Sequence, residues 1–242
     1  LLPILTGKMN DTEYGQYSLI LVTSTFFGSF FYLGMTSSLA RSYFDYKIIK
    51  QRDTVFSLSI LIILFGALIQ ILIGFFLGDL ISNLLLGNAE YKGEIFWALS
   101  ANAINFTVIH LISYFRLIKK ALPAVFFSFL IPTFSIPLII YFFNNFDGSL
   151  VLSTFRAITF ANLIILFLII PFVLNDFFLD KSILKKEVDL MLSYGISSVF
   201  AALVQYFFDW EDRFIVQSFS GIEFFGIYAA VTRTASIVNI AL

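Results

Sequence analysis

Apolar stretches of membrane-crossing length recur along the whole chain, separated by short polar connections. A helix needs about 20 mostly apolar residues to cross the hydrocarbon layer. Seven runs meet that length, at 16–39, 54–77, 94–115, 121–143, 150–174, 190–216 and 222–242. Runs such as Ser59–Leu77 are apolar on every side, whereas a barrel strand would alternate residue by residue. Lipid obliges each run to close its own backbone hydrogen bonds, so the pattern predicts helices. The opening Leu1-Leu2-Pro3-Ile4-Leu5 reads as the tail of a further span, with no initiator Met and no charged leader before it. The last run stops at Leu242 without a polar flank, so the chain reads as a fragment open at both ends.

Composition agrees with that class. Among 242 residues 59% are hydrophobic and only 13% charged, about half the charged share of an ordinary soluble domain. A net charge of −1 supplies no basic footprint for nucleic acid. The absence of cysteine removes disulfides, thiolate nucleophiles and Cys-based metal sites. No phosphate-binding glycine loop, H-E-x-x-H or G-x-S-x-G motif is present.

Charge placement orients the bundle. One set of connections carries Arg41, Lys47, Lys50, Arg52, Arg116, Lys119, Lys120, Lys181, Lys185 and Lys186, and the alternate set only Lys8, Lys92 and Arg213. Cytoplasmic loops are the ones enriched in Lys and Arg. Loops 40–53, 116–120 and 175–189 are therefore expected inside, and 6–15, 78–93, 144–149 and 217–221 outside. The longest inner connection, 175–189, mixes Phe177, Phe178, Ile183 and Leu184 with Lys181, Lys185 and Lys186. It reads either as an amphipathic helix on the inner surface or as a solvated linker.

Polar groups inside spans are the candidate functional residues, because each is costly in lipid unless it faces protein or water. Arg156 carries Ser153 and Thr159 three residues to either side. It lines an aqueous cavity or snorkels to the outer headgroups. Arg233 lies near mid-span, with Tyr228 and Asn239 on an adjoining face, and points to a cavity cation. Asp209 and Arg213 form an i,i+4 pair, acid first. With Asp212 and Gln205 they make either a gate facing a cavity or a solvated span boundary. His110, the single histidine, is a helix contact or a proton carrier and has no partner for a metal site. Ser18, Thr25, Ser29, Tyr32 and Thr36 form one polar edge along 16–39, and Pro132 and Pro137 predict a bent helix over 121–143.

Two outer segments are alike. Tyr14-Gly15-Gln16-Tyr17 and Phe225-Gly226-Ile227-Tyr228 both read aromatic-Gly-x-Tyr, 211 residues apart, on the same side of the membrane. A six-helix unit followed by a second copy in the same orientation would produce this, a plan known among transporters, and so would chance.

The stretch Asp212-Arg213-Phe214-Ile215-Val216, followed by Gly226-Ile227-Tyr228-Ala229-Ala230, resembles the start of the second half of the bacterial polysaccharide repeat-unit (O-antigen, Wzx-type) flippases. These belong to the multidrug/oligosaccharidyl-lipid/polysaccharide exporter superfamily. The family's Asp-Arg-Phe matches Asp212, Arg213 and Phe214, and its first-half signature matches Glu13, Tyr14, Gly15, Tyr17 and Ser18. The Arg that closes the family's second helix matches Arg41. The resemblance implies an all-α, polytopic transmembrane helix bundle. Residues 1–174 would be the first six-helix lobe (from the end of helix one), 175–189 a cytoplasmic linker, and 190–242 the first two helices of a second lobe. It implies a non-enzymatic transporter of the bacterial cytoplasmic membrane, without cofactor. The expected partners are an undecaprenyl-diphosphate-linked oligosaccharide, membrane lipid and polysaccharide polymerase machinery. Arg156, Arg233 and Arg41 would be substrate-binding cations. A cation-coupled drug antiporter and a membrane-embedded polymerase are the alternatives.

Overall fold

The computed structural model describes residues 1–146 and 148–241, and the side chains of all of these except 209–211, 214 and 236–241. The described residues form eight α-helices and no strand: α1 (Leu2–Lys8), α2 (Asp11–Phe31), α3 (Met35–Ser42), α4 (Ile49–Leu86), α5 (Lys92–Leu117), α6 (Ala121–Asn145), α7 (Leu150–Val173) and α8 (Leu184–Ala241). Seven stretches are long and apolar enough to cross a membrane, which makes the protein multi-pass. They follow the predicted runs with two differences. The run 16–39 is broken between α2 and α3, where Leu33 (φ 50°) and Gly34 (φ 57°) turn left-handed. The run 54–77 sits within 38 helical residues, about 57 Å at 1.5 Å per residue, longer than the hydrocarbon layer is thick. α8 holds the last two spans, Leu184–Phe208 and Ile215–Ala235, and its backbone breaks at Gly221 (φ 79°, ψ 172°) inside the predicted outer loop 217–221.

Local sequence accounts for the ends. Asn10 caps α2 through a reciprocal pair, its side chain accepting from Glu13 N–H at 2.8 Å while Glu13 Oε2 accepts from Asn10 N–H at 3.0 Å. Ser149 caps α7 by accepting from Leu152 N–H at 3.2 Å. Gly87 ends α4 in the left-handed conformation that favours glycine. α6 runs unbroken through Pro132 and Pro137.

α5 is the most buried span and packs on α2, α4, α6 and α7. Its alanines at 98, 101 and 103 keep neighbouring backbones close. A second close approach joins α4 to α2 at Gly66, where a Cβ would overlap the Phe31 carbonyl oxygen. Gly66→Ala is therefore expected to destabilise the fold by about 1–3 kcal/mol, the usual cost of overpacking. Thermal unfolding in detergent should show a lower midpoint than wild type.

Two apolar cores result, named inner and outer after the sides that the Lys and Arg distribution predicts. The inner one gathers Met35, Leu39, Phe56, Tyr114, Phe127, Ile165 and Met191. The outer one gathers Leu5, Tyr17, Ile20, Leu99, Phe155, Phe225 and Ala229.

The inner connection 175–189 is not the surface helix of the first expectation. After a 3₁₀ turn at Leu174–Asp176 the chain has no regular structure over 177–180 and turns at 181–183 before α8 starts at Leu184. Its backbone is held by the start of α4, with Phe178 N–H donating to Ser57 Oγ at 2.9 Å and Asp180 N–H to Thr54 Oγ1 at 2.8 Å. Those bonds replace what a helix would have supplied internally. The Asp180 carboxylate, bonded by the hydroxyl and N–H of Ser182, sits below the usual carboxylate range. Tyr46 donates to buried Glu187 at 2.6 Å, and burial together with that bond pushes its hydroxyl up to about 12.

Candidate functional site: a central polar layer

Tyr17, Ala98 and Phe155 of the outer core border a cavity of about 310 Å³ whose wall is mostly apolar and carries a band of amide and hydroxyl groups. α2 contributes Tyr17 and Ser24, α5 contributes Asn102 and Asn105, α6 contributes Pro132 and Ser135, α7 contributes Asn162 and α8 contributes Arg233. The α5 residues Ala98, Ala101, Asn102 and Asn105 fall at helical spacing, so a single face alternates small and amide side chains toward the cavity. Asn105 Nδ2 donates to Asn162 Oδ1 at 3.1 Å, and Asn162 Nδ2 to Ile158 O at 3.0 Å. Gln70, itself 1% exposed, donates to Asn102 Oδ1 at 3.0 Å and braces it from α4. These amides are thereby oriented before any ligand arrives, which lowers the ordering cost of binding.

Arg233 is the cation of this cavity. Its guanidinium is flanked by the hydroxyls of Tyr14 and Tyr17 and bonds Tyr17. Neutral phenols accept its N–H groups without cancelling its charge, so the positive field persists into the cavity. Arg213, Asp212 and Tyr228 stand close by, with the Tyr228 hydroxyl donating to Asp212 Oδ2. The other carboxylate oxygen of Asp212 is buried without a bonding partner among the described residues.

Tertiary packing places the other predicted residues apart. Arg156 is not on the cavity wall; its guanidinium lies 5.7 Å over the Trp97 ring, a cation–π contact between α7 and α5. Ser153 and Thr159 are buried in helix packing, Thr159 donating to Phe155 O at 2.8 Å and to Trp97 O at 3.3 Å. Arg41 lies on the inner side, 4.5 Å over Tyr194, in a cleft of about 280 Å³ shared with Asp45 and Ser193. His110 is fully buried, its Nδ1 3.0 Å from Thr36 Oγ1 and its Nε2 2.8 Å from Ser59 Oγ. It ties α5 to α3 and α4 and does not line the cavity. Gln205 is exposed on α8. The side chains of Asp209 and Asn239 lie outside the described residues.

Gln70, Asn102, Asn105 and Asn162 are not among the residues the sequence singled out. Their signal was present, since each is an amide deep in an apolar run. Which of them face one another depends on helix rotation, which a single run does not reveal.

The two aromatic-Gly-x-Tyr motifs meet at the outer end of this layer. A Cβ at Gly15 would overlap the carbonyl oxygen of Ile222 and lie 3.2 Å from Gly226 N. A Cβ at Gly226 would overlap the carbonyl oxygen of Asp11 and lie 3.0 Å from Gly15 N. Each glycine thus faces the carbonyl four residues before the other, a pseudo-two-fold contact of backbone on backbone. Phe225 and Ala229 beside it are buried in the outer core. Only hydrogen at both positions permits so close a crossing.

The family model described as "Polysaccharide biosynthesis protein" matches residues 1–242. No curated protein and no solved structure matches the chain.

Proposed function

The chain belongs to the polysaccharide biosynthesis protein family, and from that premise we propose that it is a lipid-linked oligosaccharide flippase. It moves an undecaprenyl-diphosphate-linked repeat unit from the cytoplasmic to the outer leaflet of a bacterial cytoplasmic membrane. The observation that carries this reading is the guanidinium of Arg233 on the cavity wall, beside phenols and amides.

Its chemistry suits that head group. A diphosphate is anionic and takes charge-assisted bonds from a guanidinium. Sugar hydroxyls both donate and accept, as do the amides of Asn102, Asn105 and Asn162. The polyprenyl chain stays in lipid. At about 310 Å³ the cavity is near the small end of ligand sites, so passage of a head group requires the halves to part. The Gly15–Gly226 contact is the outer seam along which they part, and rocking of one half on the other alternates access. Outward movement of an anion across an inside-negative membrane gains about 2.3 kcal/mol per charge per 100 mV.

The test is direct translocation. Proteoliposomes carrying the intact protein and a polyprenyl-diphosphate oligosaccharide should transfer the glycan between leaflets, read by an impermeant glycan-oxidising reagent. An imposed potential, negative on the side of departure, should speed transfer. Vesicles that transfer no faster than protein-free controls would reject the flippase reading.

A further inference from the structure

On the outer face a second cleft, of about 460 Å³, exceeds the central cavity in size. Gln16 from α2, Asn83 from the end of α4, Asn88 and Tyr91 from the turn before α5, and Gln217 and Ile222 on either side of the Gly221 break surround it. No Asp, Glu, Lys or Arg is on its wall. We infer that this cleft is a binding subsite for neutral saccharide, holding sugar units at the outer surface.

The reasoning starts from donors and acceptors. A carboxamide offers an N–H₂ and a carbonyl in one plane, the complement of two neighbouring hydroxyls on a sugar ring. Four carboxamides converge here. Those of Asn83 and Gln217 make no hydrogen bond among the described residues. Asn88 spends its Oδ1 on Glu90 N–H at 2.9 Å and keeps its N–H₂. Gln16 Nε2 donates to the Tyr91 hydroxyl at 2.8 Å, which orients both and leaves the Gln16 carbonyl to accept and the Tyr91 O–H to donate. Leu84, Leu85 and Ile222 supply apolar surface against which the C–H face of a pyranose packs.

Charge separates this cleft from the other two openings. Arg233 stands in the central cavity and Arg41 in the inner cleft, both suited to anions. A ligand that carries phosphate has no counter-charge to meet in the outer cleft. The ligand is an uncharged, hydroxyl-rich chain, and its identity as a glycan rests on the flippase reading above. The cleft is also built from both sides of the Gly15–Gly226 seam, with Gln16 next to Gly15 on α2 and Ile222 on α8, its carbonyl oxygen facing Gly15. A saccharide bound here bridges the seam and holds it closed.

Binding is measured without translocation. The intact protein in nanodiscs is mixed with the neutral oligosaccharide released by mild acid from the host's surface glycan, and saturation-transfer NMR follows the sugar protons. Wild type should transfer saturation to the ring protons. Asn83→Leu and Gln217→Leu, which break no internal bond, should each weaken binding about tenfold, the loss of one or two hydrogen bonds. Arg156→Ala, whose guanidinium lies over Trp97 and lines neither opening, should bind this sugar as wild type does. No signal from wild type, or variants that bind equally well, would overturn the subsite. Normal binding by a protein that fails to translocate in vesicles would overturn the flippase reading and leave the subsite standing.

Discussion

Replacing Arg233 with alanine should abolish surface glycan in a complementation assay while the protein still inserts and folds. Arg233 is the cationic side chain on the wall of the central cavity, and its partners there include the Tyr17 phenol. Truncating one member of a buried charge pair costs about 2–5 kcal/mol, at least about thirtyfold in rate for a group that holds the diphosphate. Arg233→Lys should recover only part of the activity, because an ammonium supplies the charge but not the planar fork that meets two phosphate oxygens. Arg156→Ala is the contrast. Its guanidinium rests over Trp97 away from the cavity wall, so the variant should lose about 0.5–2 kcal/mol of stability and keep glycan display. Display that survives Arg233→Ala, or is lost equally in both variants, would remove Arg233 from the role of cavity cation.

Gly226→Ala should open the outer seam. The added methyl would overlap the Asp11 carbonyl oxygen, a backbone atom that cannot rotate away. Helix α8 must then move off α2, at an expected strain of about 1–3 kcal/mol, which biases a closed–open equilibrium about 5- to 150-fold. The protein contains no cysteine, so one introduced at Ser24, on the cavity wall, reports access cleanly. In cells an impermeant maleimide applied outside should label Ser24→Cys slowly in the otherwise native protein and faster in the Gly226→Ala background. Gly15→Ala should act the same way, since its methyl meets the Ile222 carbonyl. Equal labelling in all three backgrounds would show that the glycine contact does not guard the cavity.

Both experiments turn on residues of unequal legibility. Arg233 was visible at once, because a guanidinium inside an apolar run has few tolerable environments. Arg156 stood out for the same reason, yet the ring of Trp97, from a helix 59 residues earlier, receives it. The glycine motifs were legible as a repeated pattern, but the pattern alone was equally consistent with coincidence. Their face-to-face contact appears only when α2 and α8 are packed. Asn102, Asn105 and Asn162 looked like isolated amides in two separate runs until the helices were rotated against one another.

By itself the sequence determined the class and the number of membrane-crossing helices. Lipid leaves a backbone no other way to satisfy its hydrogen bonds, and apolar length is a local property. The tertiary structure alone decided which polar side chains share a cavity, where the α2 run breaks at Leu33 and Gly34, and that residues 177–180 bond to the start of α4 instead of coiling. Those outcomes depend on the rotation and approach of helices distant in the chain, set by small residues and buried amides that carry meaning only in pairs.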